Sequence, residues 1–132
     1  MPLVHHELCF GCGRTNLFGL MLELERVGPG LVTGRGFVKQ DHQGAHPGSA
    51  HEGIIAAALS EAMSLACGPH MRARSVEARL EAQVPVGVFL EVEAQALDLP
   101  GGVFQASATA TVEEQPVATA RGSYEPRATT GA

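Results

Sequence analysis

Tryptophan is absent, tyrosine occurs once and aromatic residues make up only 5% of the chain, so aliphatic side chains and alanine must fill the interior. Long apolar runs are missing too. No stretch approaches the roughly 18 residues of a membrane span, and residues 1–7 (MPLVHHE) lack the basic region and apolar run of a secretion signal. A cytoplasmic location without membrane contact is the expectation. Basic residues are few: nine Lys and Arg, scattered along the chain, face fourteen Asp and Glu for a net charge of −5. Such a balance gives no general attraction to phosphate backbones, so nucleic acid is not an expected partner. Cysteine is scarce and odd in number, with Cys9 and Cys12 in a C-x-x-C and Cys67 alone, which argues against a disulfide framework.

What is present describes a compact chain. Hydrophobic residues are 45% and charged residues 17% of 132, the length of one domain that buries roughly two-thirds of its unfolded surface. A single domain over residues 1–132 is expected, with an irregular segment at 1–19 and a frayed tail at 127–132. Segments Leu20 to Val27 and Leu31 to Lys39 flank Gly28-Pro29-Gly30 and read as a hairpin, with Leu20, Leu22 and Leu24 on one face. Residues 40–50 (QDHQGAHPGSA) have turn composition. Glu52 to Cys67 (EGIIAAALSEAMSLAC) is rich in Ala, Leu and Met and ends at Gly68-Pro69, the composition and stop signal of a helix. It has no polar stripe, so it must be wrapped.

Four alternating segments follow: Ser75 to Val84, Leu90 to Leu97, Val103 to Val112 and Val117 to Tyr124, separated by Pro- and Gly-containing turns. The alternation is sharpest where Val76, Ala78, Leu80, Ala82 and Val84 interleave with polar residues. With no helix between the later strands, parallel crossovers are excluded. The fold class is therefore α+β, an antiparallel sheet of five to six strands wrapped around one long apolar helix. One sheet cannot cover such a helix, so self-association as a dimer or dimer of dimers is expected.

Cys9-Phe10-Gly11-Cys12-Gly13 with Asn16 and Gly19-Leu20, Gln43-Gly44, His51-Glu52-Gly53 and Leu59-Ser60-Glu61-Ala62-Met63 together resemble the motifs of the hot dog thioesterase superfamily. The likeness is to its phenylacetyl-CoA and 4-hydroxybenzoyl-CoA thioesterase type, in a branch that opens C-F-G-C-G. Val84-Pro85-Val86-Gly87 and Ala118-Thr119-Ala120-Arg121-Gly122 resemble its downstream turn and last strand. Two departures stand out: Glu52 replaces the first glycine of H-G-G, and Ser60 stands where many relatives carry the catalytic aspartate. The resemblance implies hydrolysis of an acyl-CoA thioester, a shared site between protomers, and no cofactor.

Thioester hydrolysis needs a group that polarises the carbonyl and one that activates water or attacks. Backbone amides of Glu52 and Gly53 at the helix start, after His51, suit the first role; a favourable acid in a first turn and a simple cap are the plain alternatives. Glu61, a carboxylate among apolar helix neighbours, suits the second, with its pKa raised by burial. Reaching solvent at a dimer edge, or pairing with Arg79 or Arg74, is its structural alternative. Adjacent helical residues point about 100° apart, so Ser60 and Glu61 are not expected to face one thioester together, and Ser60 has the alternative of bonding the carbonyl one turn back.

Gln43 could bond the thioester or tie its loop, and Ser75 could hold water or merely open a strand. His70, Arg72 and Arg74 could meet the phosphates of coenzyme A or form a solvated basic turn. His5, His6, Cys9 and Cys12 have ligand types compatible with zinc, but with only one C-x-x-C the expectation is a packed turn, with no metal required for activity. Two other readings stand beside the hydrolase: a non-catalytic acyl-CoA binding or sensing protein, favoured by Ser60, and a hot dog hydratase or dehydratase using His51 and Glu61.

Overall fold

The computed structural model describes residues 2–128. Six antiparallel strands form one sheet: β1 (Glu23–Gly28), β2 (Leu31–Phe37), β3 (Met71–Leu80), β4 (Phe89–Asp98), β5 (Phe104–Val112) and β6 (Gln115–Pro126), in the spatial order β1-β2-β4-β5-β6-β3. One helix, α1 (Glu52–Cys67), lies across the sheet, and the arrangement is the hot dog fold expected from the order of elements. Among the described residues no helix is long and apolar enough to cross a membrane.

The scarcity of aromatics dictates how helix and sheet meet. Beneath α1 the sheet presents Ala94, Ala106, Ala108, Ala110, Ala118 and Ala120, all buried and paired side by side across β4, β5 and β6. Small side chains let the helix approach closely, and its Leu59 and Met63, both fully buried, fill the remaining space. Burial of such a side chain contributes roughly 1.5–3 kcal/mol. The helix starts at the His51 cap and stops at Gly68, whose φ of 137° suits glycine and whose N–H bonds Ser64 O at 3.0 Å. Arg26 on β1 donates to Leu65 O at 2.8 Å, setting a cation at the negative end of the helix dipole.

Two expectations need correction. Leu20 and Leu22 are buried as expected, yet β1 begins only at Glu23, because Met21 has a positive φ of 49° and the amides of Leu20 and Leu22 bond to Phe10 and Gly11 of the N-terminal segment. The strand expected over 75–84 runs from Met71 to Leu80; Glu81 and Ala82 both bond Val117 O, which ends the ladder, and Val84 is buried inside the following turn. Finally, β3 is an edge strand. Its Val76 and Leu80, on the helix side of the sheet, remain 39% and 41% exposed at this edge. Of the tail at 127–132, Arg127 is held by a 2.8 Å bond from its N–H to His70 O, and 129–132 lie outside the described residues.

Candidate active site

A cleft of about 470 Å³ opens at the middle of α1, between the helix, the start of β3, the end of β6 and the N-terminal segment. Ser60, Glu61 and Ser64 line it from the helix, His70 and Arg72 from the approach to β3, Tyr124 and Arg127 from the end of β6, and His5 from the N-terminus. Ser60 and Glu61 therefore do border one space, contrary to the expectation from helical geometry alone. A wide cleft accommodates two side chains 100° apart.

Glu61 is held rather than free. One carboxylate oxygen lies 2.8 Å from His5 Nδ1 and accepts from the Cys9 thiol at 3.5 Å, the two side chains of the ion pair being 12% and 11% exposed. On its other side Glu61 packs against Gly11, where a Cβ would collide with the carboxylate. Burial pushes the Glu61 pKa up, but hydrogen bonds from His5 and Cys12 and the charge of His5 outweigh it, and the net shift is downward. The same bond to Glu61 raises His5 against the opposing effect of burial. Both shifts favour the charged pair, carboxylate with imidazolium. This corrects the expected raised pKa, and the partner is His5, not Arg79 or Arg74.

Ser60 is better placed to meet a ligand. Tyr124 Oη donates to Ser60 O at 3.1 Å and lies 3.3 Å from Ser60 Oγ, so the serine hydroxyl is oriented toward the phenol and not toward the carbonyl one turn back. Burial pushes the Tyr124 hydroxyl up to about 12, keeping it protonated and able to donate. Tyr124 escaped the sequence reading. As the sole tyrosine, at an inward position of the last strand, its hydroxyl needed a buried partner, and that was the available signal.

At the helix start His51 caps α1: its Nδ1 accepts from Gly53 N at 2.8 Å. The Gly53 amide is therefore taken and cannot serve an oxyanion, which corrects its expected role. The cap also fixes the imidazole, since Nδ1 as acceptor leaves the proton of the neutral ring on Nε2. Glu52 N–H has no hydrogen-bond partner among the described residues. The helix start lies about 13 Å along the axis from Ser60, so one protomer does not bring the two together.

The other expected residues divide. Gln43 ties its loop with both ends of its amide, accepting from Gly48 N at 2.7 Å and donating to Gln40 O at 2.8 Å. Ser75 pairs with Ser123 and opens with Gln105 and Leu97 on the sheet face away from α1, remote from the cleft. Both Arg74, at 3.1 Å, and Arg72, at 3.9 Å, pair with Glu125, and of the two only Arg72 lines the cleft.

No protein-family model and no curated protein sequence matches the chain. Solved structures do. A thioesterase superfamily protein superposes with a TM-score of 0.76 at 19% identity over 85% of this chain, which spans 60% of that protein's length. A mutant of the phenylacetic acid degradation protein PaaI from Thermus thermophilus gives 0.73 at 25% identity, covering 83% of this chain and 95% of the other. A hypothetical thioesterase from Streptococcus pneumoniae, solved with coenzyme A, gives 0.71 at 14% identity over 81% of this chain and 88% of its own.

Proposed function

We propose that this chain, a hot dog protein of the thioesterase kind, hydrolyses an acyl-CoA thioester to the free acid and coenzyme A, working as a dimer or dimer of dimers. One observation carries the reading: the cleft at mid-helix places Ser60, at the position of the aspartate in relatives, beside the guanidinium groups of Arg72 and Arg127 and the imidazole of His70. A net-acidic protein needs such local positive charge to hold a polyanionic ligand. The coenzyme A bound to the Streptococcus pneumoniae relative supports the same ligand class.

In this reading the Ser60 hydroxyl, oriented by Tyr124, holds the attacking water or the thioester carbonyl. Donors for the developing oxyanion come from the helix start of a second copy: the Glu52 amide and Nε2–H of His51. His70, the exposed imidazole on the cleft wall, is the proton acceptor. Glu61, sequestered against His5 and Gly11, anchors the N-terminal segment instead of attacking.

Dimerisation is supported by an asymmetry between the two sheet edges. Leu3 N–H bonds Leu24 O at 2.7 Å and covers part of β1, while β3 pairs only with β6 and keeps Val76 and Leu80 open beside a free edge. The sequestered Glu61 and the serine in the aspartate position favour a second reading, an acyl-CoA binding protein without turnover. A panel of acyl-CoA thioesters of varied chain length and aromaticity, assayed for free thiol and in parallel for binding by calorimetry, decides. Turnover of at least one thioester is expected; tight binding with no thiol release establishes the second reading, and neither binding nor release removes both.

A further inference from the structure

Four potential ligand atoms from two distant parts of the chain converge beside the cleft. His5 Nδ1, Cys9 Sγ, Cys12 Sγ and a Glu61 carboxylate oxygen all lie within 4.8 Å of one another. Cys12 Sγ is 3.5 Å and Cys9 Sγ 3.7 Å from His5 Nδ1, and Cys9 Sγ is 3.5 Å from Glu61 Oε2. Ordinary zinc bond lengths at tetrahedral angles set sulfur about 3.6 Å from a nitrogen or oxygen ligand, which these separations match. Only the His5 to Glu61 distance, 2.8 Å, is shorter, as a direct hydrogen bond requires.

The way the atoms converge excludes a catalytic relay. A nucleophile–imidazole–carboxylate triad uses both ring nitrogens, one toward each neighbour. Here both sulfurs and the carboxylate meet the same nitrogen, Nδ1, while Nε2 faces Ser64 Oγ at 3.5 Å. With Nε2–H donated to Ser64, loss of the Nδ1 proton that bridges to Glu61 would leave the Nδ1 lone pair aimed into the cluster, the usual outer-shell arrangement of a metal-bound histidine. His5 N–H points at Cys12 Sγ at 3.1 Å, a donor suited to a thiolate. Both cysteines are free thiols. Side chains at Gly11 and Gly13 would strike Glu61 and the backbone of Glu7 and Cys9, so the loop closes this tightly only with glycine at both places. His6 stands apart, its Nδ1 accepting from Leu8 N at 3.2 Å.

We propose that His5, Cys9, Cys12 and Glu61 form a four-coordinate site for a zinc-type divalent cation that clamps the N-terminal segment onto helix α1. Two thiolates with an imidazole and one carboxylate favour a borderline-soft cation over magnesium or calcium. Binding displaces one proton from each thiol and any proton on His5 to solvent, and three anionic ligands then face two positive charges. Four protein atoms leave no open position, so the ion is structural and the inference does not depend on the proposed hydrolysis. It replaces the expectation of a packed turn without metal.

The test uses the full-length protein, stripped with a chelator and titrated with Co²⁺ as a spectroscopic probe, with elemental analysis of the protein as purified. Expected are one ion per chain, a thiolate-to-cobalt charge-transfer band with tetrahedral visible absorption, and protection of Cys9 and Cys12 from a thiol reagent while Cys67 reacts as before. Ser64→Ala should weaken binding ~10-fold, Cys12→Ser should cut the charge-transfer band to about half or less, Cys9 being the one thiolate left, and weaken binding further still, and His6→Ala should leave both unchanged. Since Cys12→Ser risks misfolding, the stoichiometry and thiol protection of the unmodified chain stand alone as a criterion. Cobalt bound far below one per chain without the band, or a band that survives Cys12→Ser intact, overturns the site.

Discussion

At the scale of single residues, the neighbours Ser60 and Glu61 carry different burdens. Glu61 has its carboxylate engaged by His5 and Cys9 and covered by Gly11, whereas Ser60 Oγ lies within hydrogen-bond distance of Tyr124 Oη and borders the cleft. Ser60→Ala is therefore expected to lower kcat by ~10²-fold, within the range for a positioned proton-handling group. Glu61→Gln should keep most of its kcat in protein that remains folded. A loss beyond ~100-fold in a folded Glu61→Gln protein, with Ser60→Ala near wild type, returns the base role to the carboxylate.

Tyr124 offers a separate reading, because its phenol is the only one in the chain. Burial raises its pKa from the ordinary 10 to about 12. A group whose pKa is raised by folding stabilises the fold fully below the unfolded value and loses that contribution as pH climbs through the folded value. Stability should thus fall from pH 10 toward pH 12, by roughly 2 kcal/mol for a shift of this size. Phenolate absorbance during alkaline titration of the native protein checks it; ionisation near 10 with the fold intact contradicts the buried donor. Little of this residue scale was legible beforehand. The motif residues were identified, but whether a side chain is free or already engaged depends on neighbours 50 or more positions away, as with the 56-residue separation of His5 and Glu61.

At the scale of elements, α1 was fully legible, from Glu52 to Cys67, since an Ala- and Leu-rich run between a capping residue and Gly-Pro leaves little choice. Strand β3 was legible as a strand but not in its place. Its alternation of Val76, Ala78 and Leu80 is that of a half-buried strand, yet in one protomer only Ala78 packs against the core while Val76 and Leu80 stay exposed on an edge strand. Periodicity reports which face is apolar and says nothing of what covers it. If a second copy covers it, Val76→Lys with Leu80→Lys should shift the protein toward monomer in light scattering at micromolar concentration while leaving far-ultraviolet circular dichroism unchanged. A wild-type protein that is monomeric and well folded at that concentration contradicts the proposed assembly.

At the scale of the whole molecule, the groups to which we assign catalysis lie apart within one protomer: the proposed oxyanion donors at the helix start and Ser60 some two and a half turns along it. In the proposed assembly a second copy unites them, so the double lysine variant should lose turnover together with any self-association. Local information in the chain was enough for the α+β class, the one wrapped helix, the antiparallel order of strands and the resemblance to hot dog thioesterases, because each follows from local period, local turn chemistry and motifs held in short segments. Packing in three dimensions was needed to make β3 an edge, to consume the Gly53 amide at His51, and to set Ser75 and Arg74 away from the cleft. It alone also brought His5, Cys9, Cys12 and Glu61 to one point. Those outcomes turn on ångström-scale distances between segments that no local pattern encodes, since the N-terminal segment has no period of its own and takes its form from the helix on which it lies.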